Sequence, residues 1–298
     1  MMIPSLRSGD KIAILSTARK ITTPEIELAI RTFESWGLQV VLGQTIGASY
    51  NQFAGDDALR LQDLQQMLDD ASIKAVMCAR GGYGTTRIID QVDFTTFLQR
   101  PKWLVGFSDV TTLHSHIHTL GLESIHAIMP VLFPKEGTTA SIETLRRALF
   151  DEELRYTAAP HPFNRSGSAT GQLVGGNLSM LHNLTGTRSD IDTAGKILFL
   201  EDLDEYLYHI DRMLVHLDRS GKLANLAGLL IGDMSDMRDN AIPFGKTAYE
   251  IILEHTGKYD YPVSYGFPVG HEPLNLALIC GRQAQLDVSE TGVQLAYC

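Results

Sequence analysis

The sequence predicts an α/β protein: an N-terminal domain built on a doubly wound, mostly parallel sheet, then a β-rich mixed α/β C-terminal domain. Three observations predict it. Short β-branched runs alternate with helical periodicity through the first half, periodicity vanishes from about Asp151 to Gly171, and the last sixteen or so residues alternate like a hairpin.

The alternation begins with the strand text KIAILST, residues 11–17. TPEIELAIRTFESWG follows, where Ile26, Ile30, Phe33 and Trp36 recur at helix spacing until Gly37 stops them. LQVVLG, a helix from Asp56 to about Asp70, and KAVMCA at 74–79 continue the βαβ rhythm. Residues 1–150 are therefore assigned to the first domain. The stretch 151–170, with its prolines and small residues, is read as a linker. Residues 171–298 form the second domain, with strands at KILFLED and LAGLLIGDM, helices at YHIDRMLVHLDRSG and FGKTAYEIILEHTG, and the closing hairpin RQAQLDVSETGVQLAY.

Composition narrows the function classes. The 298 residues are 44% hydrophobic and 20% charged, enough for a sizeable core. Thirty-five acidic against twenty-five basic residues give a net charge of −10, with no basic stripe, so nucleic acid is not an expected partner. The start lacks a basic segment followed by a long apolar one, and no window holds eighteen uninterrupted apolar residues. A soluble cytoplasmic protein away from membranes is expected. Cys78, Cys280 and Cys298 are too few and too scattered for a disulfide framework or a metal site.

In a doubly wound sheet, ligands bind beyond the carboxyl ends of the strands. Two unusual loops fall there: Arg80-Gly81-Gly82-Tyr83-Gly84 after KAVMCA, and Gly106-Phe107-Ser108-Asp109 after KWLV. A serine at a strand-to-helix turn has its hydroxyl lifted clear of the sheet, beside the amides of a first helical turn. Ser108 is thus a candidate nucleophile, although the second glycine of G-x-S-x-G is replaced by Val110. The alternative is an ordinary N-cap, for which serine is a preferred residue.

A nucleophilic serine needs a base, and the base an orienting acid. Among ten histidines, His182, His209, His216 and His255 lie in helical text and His161 in the linker. His271 sits in YGFPVGHEPLN, held between Gly270 and Pro273 after an apolar strand. Glu201 ends the apolar run KILFLE, and the acids after it, Asp202, Asp204 and Glu205, read as a solvated loop or a first helical turn. His114 and His118 share a helix face, but no HExxH accompanies them, so no metal and no cofactor is expected. The glycine loop lacks a P-loop lysine. A glycine amide completing an oxyanion hole suits it better than a phosphate cradle.

Six segments in order, GDKIAILSTA, CARGGYGTTRIID, LVGFSDVTTLH, GQLVGGNLSML, ILFLEDLDEYLYHIDRML and GFPVGHEPLNLAL, resemble the LD-carboxypeptidases. These are the serine peptidases that include muramoyltetrapeptide carboxypeptidase and the microcin C7 self-immunity hydrolases. The match departs at Leu278-Ile279-Cys280-Gly281, where the family usually has an LP-G run.

The resemblance implies a catalytic triad of Ser108, Glu201 and His271. It also implies an oxyanion hole from the amides of Asp109 and Gly82, and substrate contacts from Arg80, Gly81 and Asn177. Arg80 or Arg188 would receive a terminal carboxylate. The implied substrate is a cytoplasmic muropeptide tetrapeptide losing its terminal D-alanine in cell-wall recycling, and the implied assembly a homodimer. Hydrolysis of a microcin-like peptide-nucleotide amide, and a non-catalytic two-domain binding protein, are the alternatives.

Overall fold

The computed structural model describes residues 3–298. In the first half, β1 (Lys11–Leu15), α1 (Thr23–Ser35), β2 (Gln39–Leu42), α2 (Asp57–Asp69), β3 (Ile73–Cys78), α3 (Thr95–Gln99), β4 (Trp103–Gly106), α4 (Thr111–Thr119), β5 (Ser124–His126) and α5 (Thr139–Leu149) follow in order. β6 (Arg155–Ala158), β7 (Gly167–Asn177), α6 (Leu178–Leu184), β8 (Ile197–Leu203), α7 (Leu207–Arg219), β9 (Gly228–Ser235) and α8 (Ala248–Thr256) come next. The short β10 (Val263–Ser264), β11 (Leu278–Cys280), β12 (Gln283–Ser289) and β13 (Gly292–Tyr297) complete the chain.

The first sheet has the order β11-β5-β4-β3-β1-β2, parallel except for β11. Its inner strands β1, β3 and β4 are buried on both faces, which is why they read as apolar runs rather than alternations. α1 starts where expected: Glu25 accepts from the Thr22 amide at 2.8 Å, closing the first turn, and Ile26, Ala29 and Phe33 face the core.

The second sheet, β10-β9-β8-β7-β12-β13-β6, joins a parallel half to an antiparallel one, and the expected hairpin is β12 and β13. Two elements cross the expected boundaries. The stretch read as a linker contains β6, which pairs with β13, and the first residues of β7. β6 was invisible because it is a four-residue strand at a sheet edge with an exposed residue between each inward one. β11, from the second half, adds to the edge of the first sheet beside β5. One apolar cluster therefore runs from Ile12 and Met77 of the first sheet to Phe199 and Leu286 of the second.

This arrangement directs the ends of β3 and β4 toward the ends of β7 and β8. Thr111, at the start of α4, accepts from the Asn177 amide at the end of β7 at 3.0 Å.

Candidate active site

Ser108 is separated from the end of β4 by one residue, Phe107, and has φ +63°. A non-glycine residue in the left-handed region is held there by its surroundings and marks a site where strain is tolerated for geometry. It does not cap a helix: Phe107 occupies the N-cap position of a short 3-10 turn over Ser108–Val110, and the serine hydroxyl makes no hydrogen bond among the described residues. The N-cap alternative therefore fails, and the hydroxyl is free for chemistry.

The turn is braced from below by His114. Its Nε2–H donates to the Gly106 carbonyl at 2.8 Å, so Nδ1 must accept from Ser124 Oγ, also at 2.8 Å. Burial pushes its pKa down to about 4, keeping it in this neutral tautomer. His114 is a core histidine, and no group of three metal-ligating side chains occurs among the described residues.

The glycine loop lies against the serine. A Cβ added to Gly81 would stand 3.2 Å from Ser108 Cβ and 3.4 Å from its Oγ, so a side chain there would crowd the serine. The amides of Asp109 and Gly82 donate to no oxygen of the described residues. Arg80 is half-buried and turned aside, donating to the Lys20 carbonyl at 3.2 Å. Arg188 lies near His116, past the first turn of α4. Arg19, which the sequence reading missed, lays its side chain across Gly82, is exposed, and has no ion pair among the described residues.

From the second sheet come the acid and the imidazole. Glu201 in β8 is fully buried, and its Oε2 accepts from His271 Nδ1 at 2.6 Å. That bond leaves His271 Nε2 as the free ring nitrogen. The imidazole is mostly buried, with 12% of its side chain exposed, and its ring centroid lies 4.8 Å from that of Phe107, the residue before Ser108. Ser108 Oγ and His271 Nε2 are not hydrogen bonded, a contact that commonly tightens only around substrate. Burial alone would lower the His271 pKa, but the charge of Glu201 and its hydrogen bond outweigh it and raise the value.

More carboxylates crowd this imidazole than the sequence suggested. Asp202 is not solvated: it is 2% exposed and accepts from Asn177 Nδ2 and the Leu203 amide on one oxygen, and from Ser179 N and Oγ on the other. Burial and the neighbouring Glu201 charge push it up to about 6. Asn177, expected at the substrate, has both ends engaged within the protein, its Oδ1 accepting from Met180 N at the start of α6. Asp233 in β9 is packed behind Gly270, where an added Cβ would stand 3.0 Å from Asp233 Cβ and 3.2 Å from Glu201 Cβ. Burial and the Glu272 charge push Asp233 up to about 7. No motif marked Asp233, because its proximity to His271 arises from the packing of β9 beside β8.

Residues 12–127 match the LD-carboxypeptidase N-terminal domain and residues 170–286 the LD-carboxypeptidase C-terminal domain. A probable murein peptide carboxypeptidase of Bacillus subtilis is 36% identical over 96% of this chain and 91% of that protein. The murein tetrapeptide carboxypeptidase of Pseudomonas aeruginosa is 31% identical, over 93% of each. The crystal structure of muramoyltetrapeptide carboxypeptidase from Oxalobacter formigenes superposes with a TM-score of 0.87 at 26% identity, covering 96% of this chain and 98% of that one. The microcin C7 self-immunity protein MccF shares the fold, with a TM-score of 0.87 at 19% identity, covering 99% of this chain and 98% of that one. On these matches, which run through both halves of the molecule, the chain belongs to the LD-carboxypeptidase family.

Proposed function

We propose that the protein is a serine-type LD-carboxypeptidase that releases the terminal D-alanine from muropeptide tetrapeptides in the cytoplasm, during cell-wall recycling and as a homodimer. The observation that carries the reading is the buried Glu201–His271 pair beside a serine held at positive φ, in a chain of this family.

Ser108 Oγ attacks the carbonyl of the penultimate residue while His271 Nε2 takes its proton. The tetrahedral oxyanion is met by the amides of Asp109 and Gly82. Collapse breaks the amide bond as His271 returns the proton to the departing D-alanine nitrogen, and water then hydrolyses the acyl-enzyme by the same route. Glu201 fixes the imidazole tautomer and stabilises the imidazolium. Arg19 is assigned to the free terminal carboxylate, since its side chain crosses the Gly82 loop and has no ion pair among the described residues.

The test is incubation of the wild type and Ser108→Ala with a muropeptide tetrapeptide and with a peptide-nucleotide amide, reading out released D-alanine and nucleotide. D-alanine from the wild type alone supports the proposal. Release of nucleotide only would move the substrate to the second class, and D-alanine released equally by Ser108→Ala would overturn the nucleophile.

A further inference from the structure

Asp109 carries a backbone amide assigned to the oxyanion hole, yet its side chain points the other way, into the protein. It is 1% exposed, an expensive place for a carboxylate without a task. Its Oδ2 accepts from the Thr85 amide at 3.0 Å and from Thr85 Oγ1 at 2.5 Å. With the Thr85 proton committed to the carboxylate, Thr17 must donate to Thr85 Oγ1, at 2.7 Å. Arg60, fully buried, donates to the carbonyls of Thr17 at 2.6 Å and Gly84 at 2.9 Å. The segments that follow β1, β3 and β4 are thus joined by one buried chain of polar groups.

The segment that this chain grips at Thr85 is the far end of the glycine loop, whose near end passes over Ser108 at Gly81. Gly82 and Gly84 have φ of +114° and +152°, so the loop has little local preference for the shape it holds. Something outside the loop must fix it. We propose that the Asp109 carboxylate is a positioning residue for the oxyanion hole, anchoring the glycine loop through Thr85 so that the Gly82 amide converges with Asp109's own amide. The inference rests on the reading of Ser108 as the nucleophile. One residue then supplies a donor on one side of the developing charge and secures the opposing donor on the other.

A hole held in place ahead of reaction acts on the transition state and not on ground-state binding. The deciding variants are Thr85→Val, which removes the hydroxyl at nearly constant volume, Thr85→Ser, which restores it, and Asp109→Ala and Asp109→Asn. Two readouts are taken: kcat and KM for tetrapeptide cleavage, and the rate of Ser108 phosphonylation by an alkyl fluorophosphonate, whose oxygen occupies the hole without any peptide.

Thr85→Val should lower kcat and the phosphonylation rate by about 10-fold with KM nearly unchanged, a fraction of the loss for deleting a donor outright. Thr85→Ser should restore both. Asp109→Ala should lose on the order of 100-fold, and Asp109→Asn, which keeps an acceptor for Thr85, should lose less. If Asp109→Ala does not fold, the Thr85 pair decides. Wild-type rates in Thr85→Val, or a loss carried by KM alone, would overturn the proposal. A wild type that is phosphonylated at Ser108 but releases no D-alanine defeats only the substrate reading, since the phosphonylation rates still judge Asp109. A wild type that is not phosphonylated defeats the nucleophile and this proposal together.

Discussion

The two halves of the site are built on different physics. On the first sheet, Ser108 and the glycine loop are held by backbone conformation, with positive φ at Ser108, Gly82 and Gly84, by the hydrogen bond that His114 donates to Gly106, and by those that Asp109 accepts from Thr85. On the second, Glu201, Asp202 and Asp233 crowd one imidazole, and what they control is its charge. The first half fixes where atoms stand and the second fixes where a proton resides. The variants below break one half at a time.

The largest effect is expected at the imidazole. His271→Ala should lower kcat by roughly 10⁴-fold or more, since it removes the base that takes the serine proton, and should leave the chain folded. Glu201→Gln should cost roughly 10³ to 10⁴ in kcat and also change the pH profile. Catalysis needs the neutral imidazole, so activity falls as pH drops through the raised His271 pKa, and the acid limb of kcat/KM should lie above about pH 6.5. Removing the Glu201 charge lets burial dominate, and the limb should move to lower pH. A limb that stays in place would separate Glu201 from the base.

Gly270→Ala tests position against charge. Its Cβ would meet Asp233 and Glu201 at 3.0 and 3.2 Å from a residue at φ +140°, displacing the segment that carries His271. A kcat loss of about 100-fold is expected, with the acid limb unmoved, in steady-state kinetics across pH.

Arg19→Ala lies outside both halves. It should raise KM about 10-fold for the free acid with little change in kcat, and leave a C-terminally amidated tetrapeptide unaffected. Equal losses on both substrates would remove Arg19 from the carboxylate.

The smallest effect is on stability. Asp233 titrates at about 7 in the folded chain and near 4 when unfolded, so its ionisation opposes folding increasingly as pH rises from 4 to 7. Asp233→Asn should raise Tm by a few degrees at pH 8 and hardly at all at pH 4, by calorimetry.

How much was legible in the sequence follows the same division. Strands β1 to β4, helix α1 and the β12–β13 hairpin are local patterns, and they read correctly. Ser108, Glu201 and His271 stood out because each ends an apolar run or sits in a tight loop, a signal carried by a few neighbouring residues. β6, β11, Asp202, Asp233 and Arg19 did not read correctly. The two strands are short and defined by distant partners, and the three side chains take their environment from segments far away in the chain. Asp109 is the intermediate case, since its place in the turn was evident but the reach of its carboxylate to Thr85 was not.

The two halves meet on one serine, and mass spectrometry of the tetrapeptide reaction quenched early, in wild type and His271→Ala, shows whether they do. An acyl adduct on Ser108 is expected in the wild type, accompanied by free D-alanine, and neither in the variant. D-alanine release that continues in His271→Ala, or an adduct on a different residue, would show that they do not.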